Sequence, residues 1–255
     1  MRPFDRSPNR TKIIMKRHIL PGLMALLAGS LMAADSSPKA DVKNAAAALG
    51  SQTNYSWRTT VEAGNTSRFR PGPTEGKTEK GGYTTLLMSF NDNTSEAVLK
   101  GTNGAIKTPD NGWQTLAEAA QDNGGGGPNP GMFLARMLQN YKAPAVEAAD
   151  LADKTKELKA DGDALAGDLT EDGAKSLLTF RPRAGGGEPP TVSNAKGSAK
   201  FWIKDGKLAK FQFHLQGTVS FNGNDRDVDR TTTVEIKNVN STKIEVPDEA
   251  KKKLQ

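Results

Sequence analysis

Few side chains in this sequence are of the types that carry out chemistry. The chain has no cysteine and two histidines, His18 and His214. His214 alternates with Lys210, Gln212 and Gln216, which is typical of the solvent-facing side of a strand. His214 is the one histidine after the first 34 residues, and a single histidine without cysteine cannot supply the usual ligands of a zinc ion. No spacing of residues predicts a catalytic triad. We therefore predict a protein that is not an enzyme and that holds no metal or cofactor.

Three aspartates, Asp225, Asp227 and Asp229, stand at every second position and could together bind calcium. An EF-hand loop that begins at Asp225 needs glycine at its sixth position and glutamate at its twelfth. Arg230 and Ile236 occupy those positions. The spacing favours instead a strand whose carboxylates face solvent at the edge of a sheet.

Two glycine-rich runs raise the possibility of a phosphate-binding loop. The run GGGGP at 124–128 lacks the Gly-Lys-Ser/Thr ending of such a loop, and no apolar strand leads into it. We predict that it is a flexible connection, as is the run RPRAGGGEPP at 181–190. Glu171 and Asp172 fit the first turn of a helix better than they fit a glycosidase carboxylate pair.

Apolar periodicity predicts the elements that surround these residues. The run NYSWRTTVEA at 54–63 is rich in β-branched and aromatic residues, whereas residues 64–82 are predicted to be a loop. Asn-Gly turn signals at 103–104 and 111–112 predict hairpins. Further strands are predicted over 83–91, 200–221, 227–239 and 242–246, and a hairpin around Gly162 over 155–170. Helices are predicted over 39–50, 132–141, 144–155, 170–180 and 247–254. Together, these elements predict a single α+β domain over 35–255 with a large antiparallel sheet and a few helices.

The run KFWIKDGKLAKFQFHL at 200–215 predicts a hairpin around Asp205 and Gly206. A two-residue turn places Trp202 opposite Ala209 and Phe201 opposite Lys210. One face of this hairpin then carries Trp202, Ala209, Phe211 and Phe213, and the other carries Phe201, Ile203 and Leu208. Apolar residues on both faces predict either a sheet covered on both sides or a face that lines a cavity for an apolar ligand.

The first 34 residues are predicted to be an extension followed by a secretory signal peptide. Basic residues at 16–17 precede the apolar run ILPGLMALLAGSLMAA, with cleavage expected near Ala33 or Ala34. Met15 is a candidate for the true start. The protein is therefore expected to be periplasmic or secreted.

Charge excludes one class of partner. Residues 1–34 hold six basic residues and one acidic residue, so the remainder holds 29 basic and 28 acidic residues. The remainder is close to neutral, and we predict no nucleic-acid binding. We expect a monomer whose partner is a hydrophobic ligand or a protein of the cell envelope.

The order of elements resembles that of the periplasmic lipoprotein-carrier superfamily, the LolA/LppX-like proteins. The resemblance includes the export signal, NYSWRTTVEA, the hairpins that end in NGW, the mid-chain helical insert, FWIKDGKLAKFQF and the closing KIEVPDEAKKKL. It implies a curved, unclosed antiparallel half-barrel whose concave side is covered by helices. It also implies an apolar cavity for acyl chains.

These observations predict a non-enzymatic binding or carrier protein for a lipid or a lipoprotein acyl chain. The alternative is a structural or interaction module of the envelope with no ligand cavity; a hydrolase with an unrecognised site is the third reading. The apolar stripe of the helix at 132–141 belongs either to the core or to a lid over the ligand. The predicted ligand-binding residues are Trp57, Leu87, Trp113, Phe133, Met137, Trp202, Phe211 and Phe213.

Overall fold

The computed structural model describes residues 37–64, 71–90, 93–108, 112–121, 130–179, 190–221 and 223–255. The predicted extension and signal peptide, the glycine-rich run at 124–128 and most of the run at 181–190 lie outside the described residues. In the part of the chain that is described, no helix is long and apolar enough to cross a membrane.

The described residues form eleven strands and six helices. The strands are β1 (Asn54–Ala63), β2 (Pro71–Glu79), β3 (Thr84–Phe90), β4 (Asn93–Lys100), β5 (Asn103–Thr108), β6 (Gly112–Thr115), β7 (Lys159–Asp161), β8 (Ala164–Asp168), β9 (Thr191–Lys204), β10 (Lys207–Phe221) and β11 (Asn224–Lys237). The helices are α1 (Pro38–Gly50), α2 (Leu116–Gln121), α3 (Pro130–Leu138), α4 (Pro144–Asp153), α5 (Glu171–Leu178) and α6 (Asp248–Lys253).

All strands join one antiparallel sheet in the order β6-β5-β4-β3-β2-β1-β11-β10-β9-β8-β7. Pairing of β1 with β11 brings the first and last strands of the chain together at the centre of the sheet. The order is linear and ends at β6 and β7, so the sheet does not close into a barrel. The predicted α+β fold with a curved, open antiparallel sheet is confirmed.

Strand β2 corrects the prediction of a loop over 64–82. Its sequence is polar and rich in glycine and proline, so it carries no apolar alternation. It is held as a strand by backbone pairing to β1 on one side and β3 on the other. Gly76 is also required there, because a Cβ on it would lie 2.0 Å from Cζ2 of Trp57.

Two further local predictions are wrong. The turn between β4 and β5 falls at Gly101, whose φ of 59° suits glycine, and not at 103–104. Gly104 lies inside β5, where a Cβ would come within 2.5 Å of Leu116. Residues 242–247 form no strand, although helix α6 follows them as predicted.

The hairpin of β9 and β10 forms at the predicted turn but with a different register. Asp205 and Gly206 both have positive φ, 51° and 70°, as a two-residue hairpin turn of this type requires. The register shifts by one residue between Leu208 and Lys210. Ala209 is the extra residue of this β-bulge. Beyond the bulge, Trp202 pairs with Lys210, and Phe201 pairs with Phe211.

The bulge removes the apolar second face that the sequence predicted. Phe201, Leu208 and Phe211 now share one face of the sheet and are at most 1% exposed. Trp202 stands on the opposite face, where the Lys210 ammonium lies 4.5 Å from the centre of its ring. The indole N–H of Trp202 donates to Asp163 Oδ1 at 3.0 Å.

The two faces of the sheet carry cores of very different size. We call the face that carries Trp57 and Phe211 the inner face; helices α1 to α5 contribute to its large core. We call the other face, which carries Leu87 and Trp113, the outer face. Helix α6 packs on it with a small core of Val98, Ala105, Trp113, Ala250 and Leu254.

Candidate functional site

The helices on the inner face form two groups that cover opposite ends of the sheet. Helices α1 and α5 lie against β9 and β10, and α4 packs on α1. Helices α2 and α3 pack on each other and lie against β5 and β6. The middle strands, β1 to β3, lie between the two groups.

The segment that joins α3 to α4 covers part of this middle region. Tyr141, in this segment, stacks on Trp57 of β1 with ring centroids 6.4 Å apart and planes 22° from parallel. Trp57 in turn lies over Gly76 of β2. The aromatic pair therefore separates the two helix groups at one end of the middle strands.

From Trp57 the inner face continues along β1 and β11 as a row of small and medium side chains. Thr59 pairs with Val234, and Val61 pairs with Thr232. We call these four residues the central track. The residues on β11 are buried, whereas Thr59 and Val61 are only half-buried. The track is thus the less covered part of the inner face.

A buried hydroxyl without a partner lies at the first end of the central track. Among the described residues, Tyr141 Oη has no hydrogen-bond partner. Burial, with smaller contributions from Tyr55 and Glu147, raises the pKa of Tyr141 well above its ordinary value. Tyr55 differs, because its hydroxyl oxygen accepts a hydrogen bond from the Ala145 N–H; burial raises its pKa to about 12.

Glu147 of α4 adds a titratable group near this tyrosine. Burial raises the pKa of Glu147 to about 7, while Lys142 lowers it and Asp150 raises it further. Lys142 and Asp150 form an ion pair with each other. At neutral pH the Glu147 carboxyl therefore exists in both protonation states.

Arg230 of β11 stands at the other end of the central track. It pairs with Ala63 on one side and with Leu215, which is fully buried, on the other. Its Nη2 donates to the Leu177 carbonyl at 3.4 Å, near the C-terminus of α5. Its Nε is buried and has no partner among the described residues, and burial lowers the pKa of the guanidinium.

The eight predicted ligand-binding residues do not come together in one place. Trp57, Phe211 and Phe213 are buried in the inner core. Phe133 and Met137 lie on α3 and are 38% and 44% exposed, whereas Leu134 and Leu138 of the same helix are buried. The others, Leu87, Trp113 and Trp202, lie on the outer face.

Sequence reasoning missed the residues that mark the two ends of the central track. Neither Tyr141 nor Arg230 carries a motif, and each is recognisable only by burial without a partner. The alternation along β11 does place Arg230 on the same face as Thr232 and Val234. That pattern was the one available signal of a basic residue on an apolar face.

A large cleft on the outer face has a volume of about 760 Å³. Leu87, 43% exposed, lies in it, and the Arg58–Glu75 ion pair of 3.0 Å lines one side. Residues 245–248 line another side. Because its lining mixes charged and apolar side chains, this groove does not have the character of an acyl-chain cavity.

The three alternating aspartates are engaged by side chains of the neighbouring strand. Asp227 accepts from Thr218 Oγ1 at 2.8 Å, and Asp225 accepts from the hydroxyl of Ser220. Asp229 contacts His214 Nε2 at 2.8 Å, and the hydrogen bond from His214 lowers the pKa of its carboxyl. Among the described residues, no cluster of His, Cys, Asp or Glu is arranged to hold a metal ion.

Comparison with known proteins returns no matching family model and no matching curated protein. Two of the solved structures that match this chain are mycobacterial proteins. The lipoprotein LppX of Mycobacterium tuberculosis matches with a TM-score of 0.45 and 11% identity, over 82% of this chain and 98% of that chain. LprF of Mycobacterium bovis matches with a TM-score of 0.40 and 9% identity, over 84% and 100%.

The resemblance drawn from the sequence is to LppX-like proteins, and LppX is among the structures that match. At these identities and TM-scores, the likeness carries no argument about function. The assignment of a function therefore depends on the chain's own inner face.

Proposed function

We propose that this protein is an exported, non-enzymatic binding protein or carrier for an apolar ligand with an acyl chain. The ligand lies on the inner face along the central track, between the two helix groups. The observation that carries the proposal is the Tyr141 hydroxyl, which is buried beside Trp57 and has no hydrogen-bond partner among the described residues.

A buried hydroxyl without a partner costs free energy, on the order of 1–3 kcal/mol. Most buried polar groups in native proteins have a hydrogen-bond partner, so one without a partner among the described residues calls for an explanation. An ester or carboxyl oxygen of a ligand on the central track would accept a hydrogen bond from Tyr141. The acyl chain would contact Val61 and the methyl groups of Thr59 and Thr232.

Entry of the ligand requires that the helix groups move apart, because the inner core is packed in the described state. Helix α3 is the element that we expect to move, because it lies against β5 at one end of the sheet. Its outward side already carries Phe133 and Met137. Burial of an acyl chain stabilises the open form by about 25 cal/mol per Å² of apolar surface.

The test uses a neutral fluorescent probe, the methyl ester of cis-parinaric acid, titrated into the delipidated protein. Val61→Trp fills the central track, and Thr60→Trp places the same side chain on the adjacent residue of the opposite face. We expect the ester to bind the wild type and the Thr60→Trp control, and Val61→Trp to lose at least about tenfold in affinity. Absence of binding to the wild type, or equal effects of the two substitutions, would refute the proposal.

The competing function is an envelope interaction module with no ligand. It is favoured by the complete burial of Phe201, Phe211 and Leu215, which shows a packed inner core. A protein of this kind would take up no ester, and substitutions in the outer-face groove at Leu87 would then affect its association with a partner.

A further inference from the structure

We infer that Arg230 is the recognition residue for an anionic head group, so that the ligand is an amphiphile with a carboxylate or phosphate at one end. This inference rests on the proposed function and names the class of ligand. The head group binds the guanidinium at one end of the central track, and the acyl chain extends from it towards Trp57 and Tyr141.

The surroundings of Arg230 are unusual for a cation. No described carboxylate lies within ion-pair distance of its guanidinium, whereas Arg58 on the outer face pairs with Glu75 at 3.0 Å. Within the described part of the chain, the guanidinium donates one hydrogen bond, to the Leu177 carbonyl, and this bond is long at 3.4 Å. Arg230 is partly buried, and its Nε is buried without a partner among the described residues, so an anion from outside the chain would be favoured there.

The chemistry of arginine selects the partner. The guanidinium is planar and remains charged, and its parallel N–H groups match two oxygens of a carboxylate or phosphate. The Leu177 carbonyl, at the C-terminal end of α5, holds one side of the group in place and leaves Nε available. A neutral ester or alcohol has no charge to pair with the guanidinium, so it should bind more weakly than an anion.

The length of the central track suits a head-to-tail arrangement. Arg230 and Ile236, the partner of Trp57, are six residues apart on β11, which corresponds to roughly 20 Å of extended strand. That is about the length of an extended long-chain acyl group. An anionic ligand would therefore lie with its head at Arg230 and its chain at the Trp57–Tyr141 pair. This is the reverse of the direction of a neutral ester, whose oxygen accepts from Tyr141.

The experiment compares cis-parinaric acid with its methyl ester at pH 8 in the wild type and two variants. Arg230→Gln removes the buried charge, and Arg226→Gln removes the same charge from an exposed position of the same strand. We expect the wild type to bind the acid at least about tenfold more tightly than the ester. Arg230→Gln should lower this ratio to near one, and Arg226→Gln should leave it unchanged. Circular dichroism and thermal unfolding verify that each variant is folded.

The outcomes separate the inference from the proposed function. If the wild type binds neither probe, both are refuted. If it binds acid and ester equally, or if Arg230→Gln and Arg226→Gln lower the ratio equally, the inference alone is refuted. Competition of the bound acid by oleate and by 1-oleoyl-lysophosphatidate then shows whether carboxylate or phosphate is the preferred head group.

Discussion

Trp57 and Tyr141 stack across the gap between the two helix groups, with ring centroids 6.4 Å apart. The contact joins the centre of the sheet to the segment between α3 and α4. Trp57 is 4% exposed, and its indole occupies the space that a side chain on Gly76 would need. The pair therefore fixes one end of the central track, and most of the predictions below concern its surroundings.

Gly76→Ala should destabilise the protein by about 2–3 kcal/mol, because a Cβ placed 2.0 Å from Trp57 forces the indole to move. Urea unfolding followed by tryptophan fluorescence measures the change. Gly50→Ala is the control, since its Cβ would meet Ala145 at an ordinary 3.4 Å at the end of α1. Equal stabilities of Gly76→Ala and the wild type would show that the indole does not occupy this position.

Tyr141→Phe should leave the free energy of unfolding unchanged or raise it by up to about 1 kcal/mol, because the hydroxyl has no partner to lose. Tyr55→Phe is the matched substitution and should cost about 1 kcal/mol, since it removes the acceptor of the Ala145 N–H. For binding of the ester, Tyr141→Phe should have the larger effect of the two substitutions, and it should weaken binding by about three- to tenfold. A large loss of stability in Tyr141→Phe would mean that the hydroxyl is bonded in the native state.

Glu147 should make stability depend on pH. Because the pKa of Glu147 is raised from 4.5 to about 7 in the folded state, the native state favours the protonated carboxyl. Its contribution is fully present below pH 4.5 and is lost as the pH rises through 7, by at most about 3 kcal/mol. Glu147→Gln should flatten this decrease in urea unfolding at pH 5 and pH 8. Glu157→Gln is the control and should not change the pH dependence, because the Glu157 side chain is 73% exposed in the wild type. The same dependence of stability on pH in both variants would contradict the assignment to Glu147.

Arg230→Met should stabilise the protein without ligand by about 1 kcal/mol, since a buried charge without a counter-ion is replaced by an apolar side chain of similar length. Thermal unfolding measures this, with Arg226→Met as the exposed control. A gain in stability together with a loss of affinity for the acid is the result expected of a functional charge. A loss as large as that of a core truncation would show that Arg230 has a structural role.

The elements with strong apolar periodicity could be predicted from the sequence. Strand β1, helices α1, α4 and α5, and the hairpin around Gly162 form where the pattern places them. Thr170 caps α5 at the start of the predicted helix, accepting from the Gly173 N–H at 3.0 Å. In each case the local sequence and the tertiary packing favour the same structure.

The remaining differences arise from interactions between distant residues. Strand β2 is formed by pairing with its neighbours, which its own polar sequence does not reveal. The bulge at Ala209 could not be deduced from the turn at Asp205 and Gly206, because nothing in a two-residue turn specifies a later register shift. The Tyr141 hydroxyl and Arg230 Nε are buried without a hydrogen-bond partner among the described residues. Their burial results from the packing of elements that are distant in sequence, so no local motif could identify them.

The location of the ligand is tested most directly by photo-crosslinking. The chain is produced in an exporting bacterial host, purified as the host releases it and labelled with a diazirine derivative of a long-chain acyl ester. Peptide mass spectrometry then locates the adducts, and unlabelled ester must compete for them. We predict adducts on the peptides that contain Val61 and Tyr141. Adducts at Leu87 and the other residues of the outer-face groove, or none that unlabelled ester can displace, would contradict binding on the inner face.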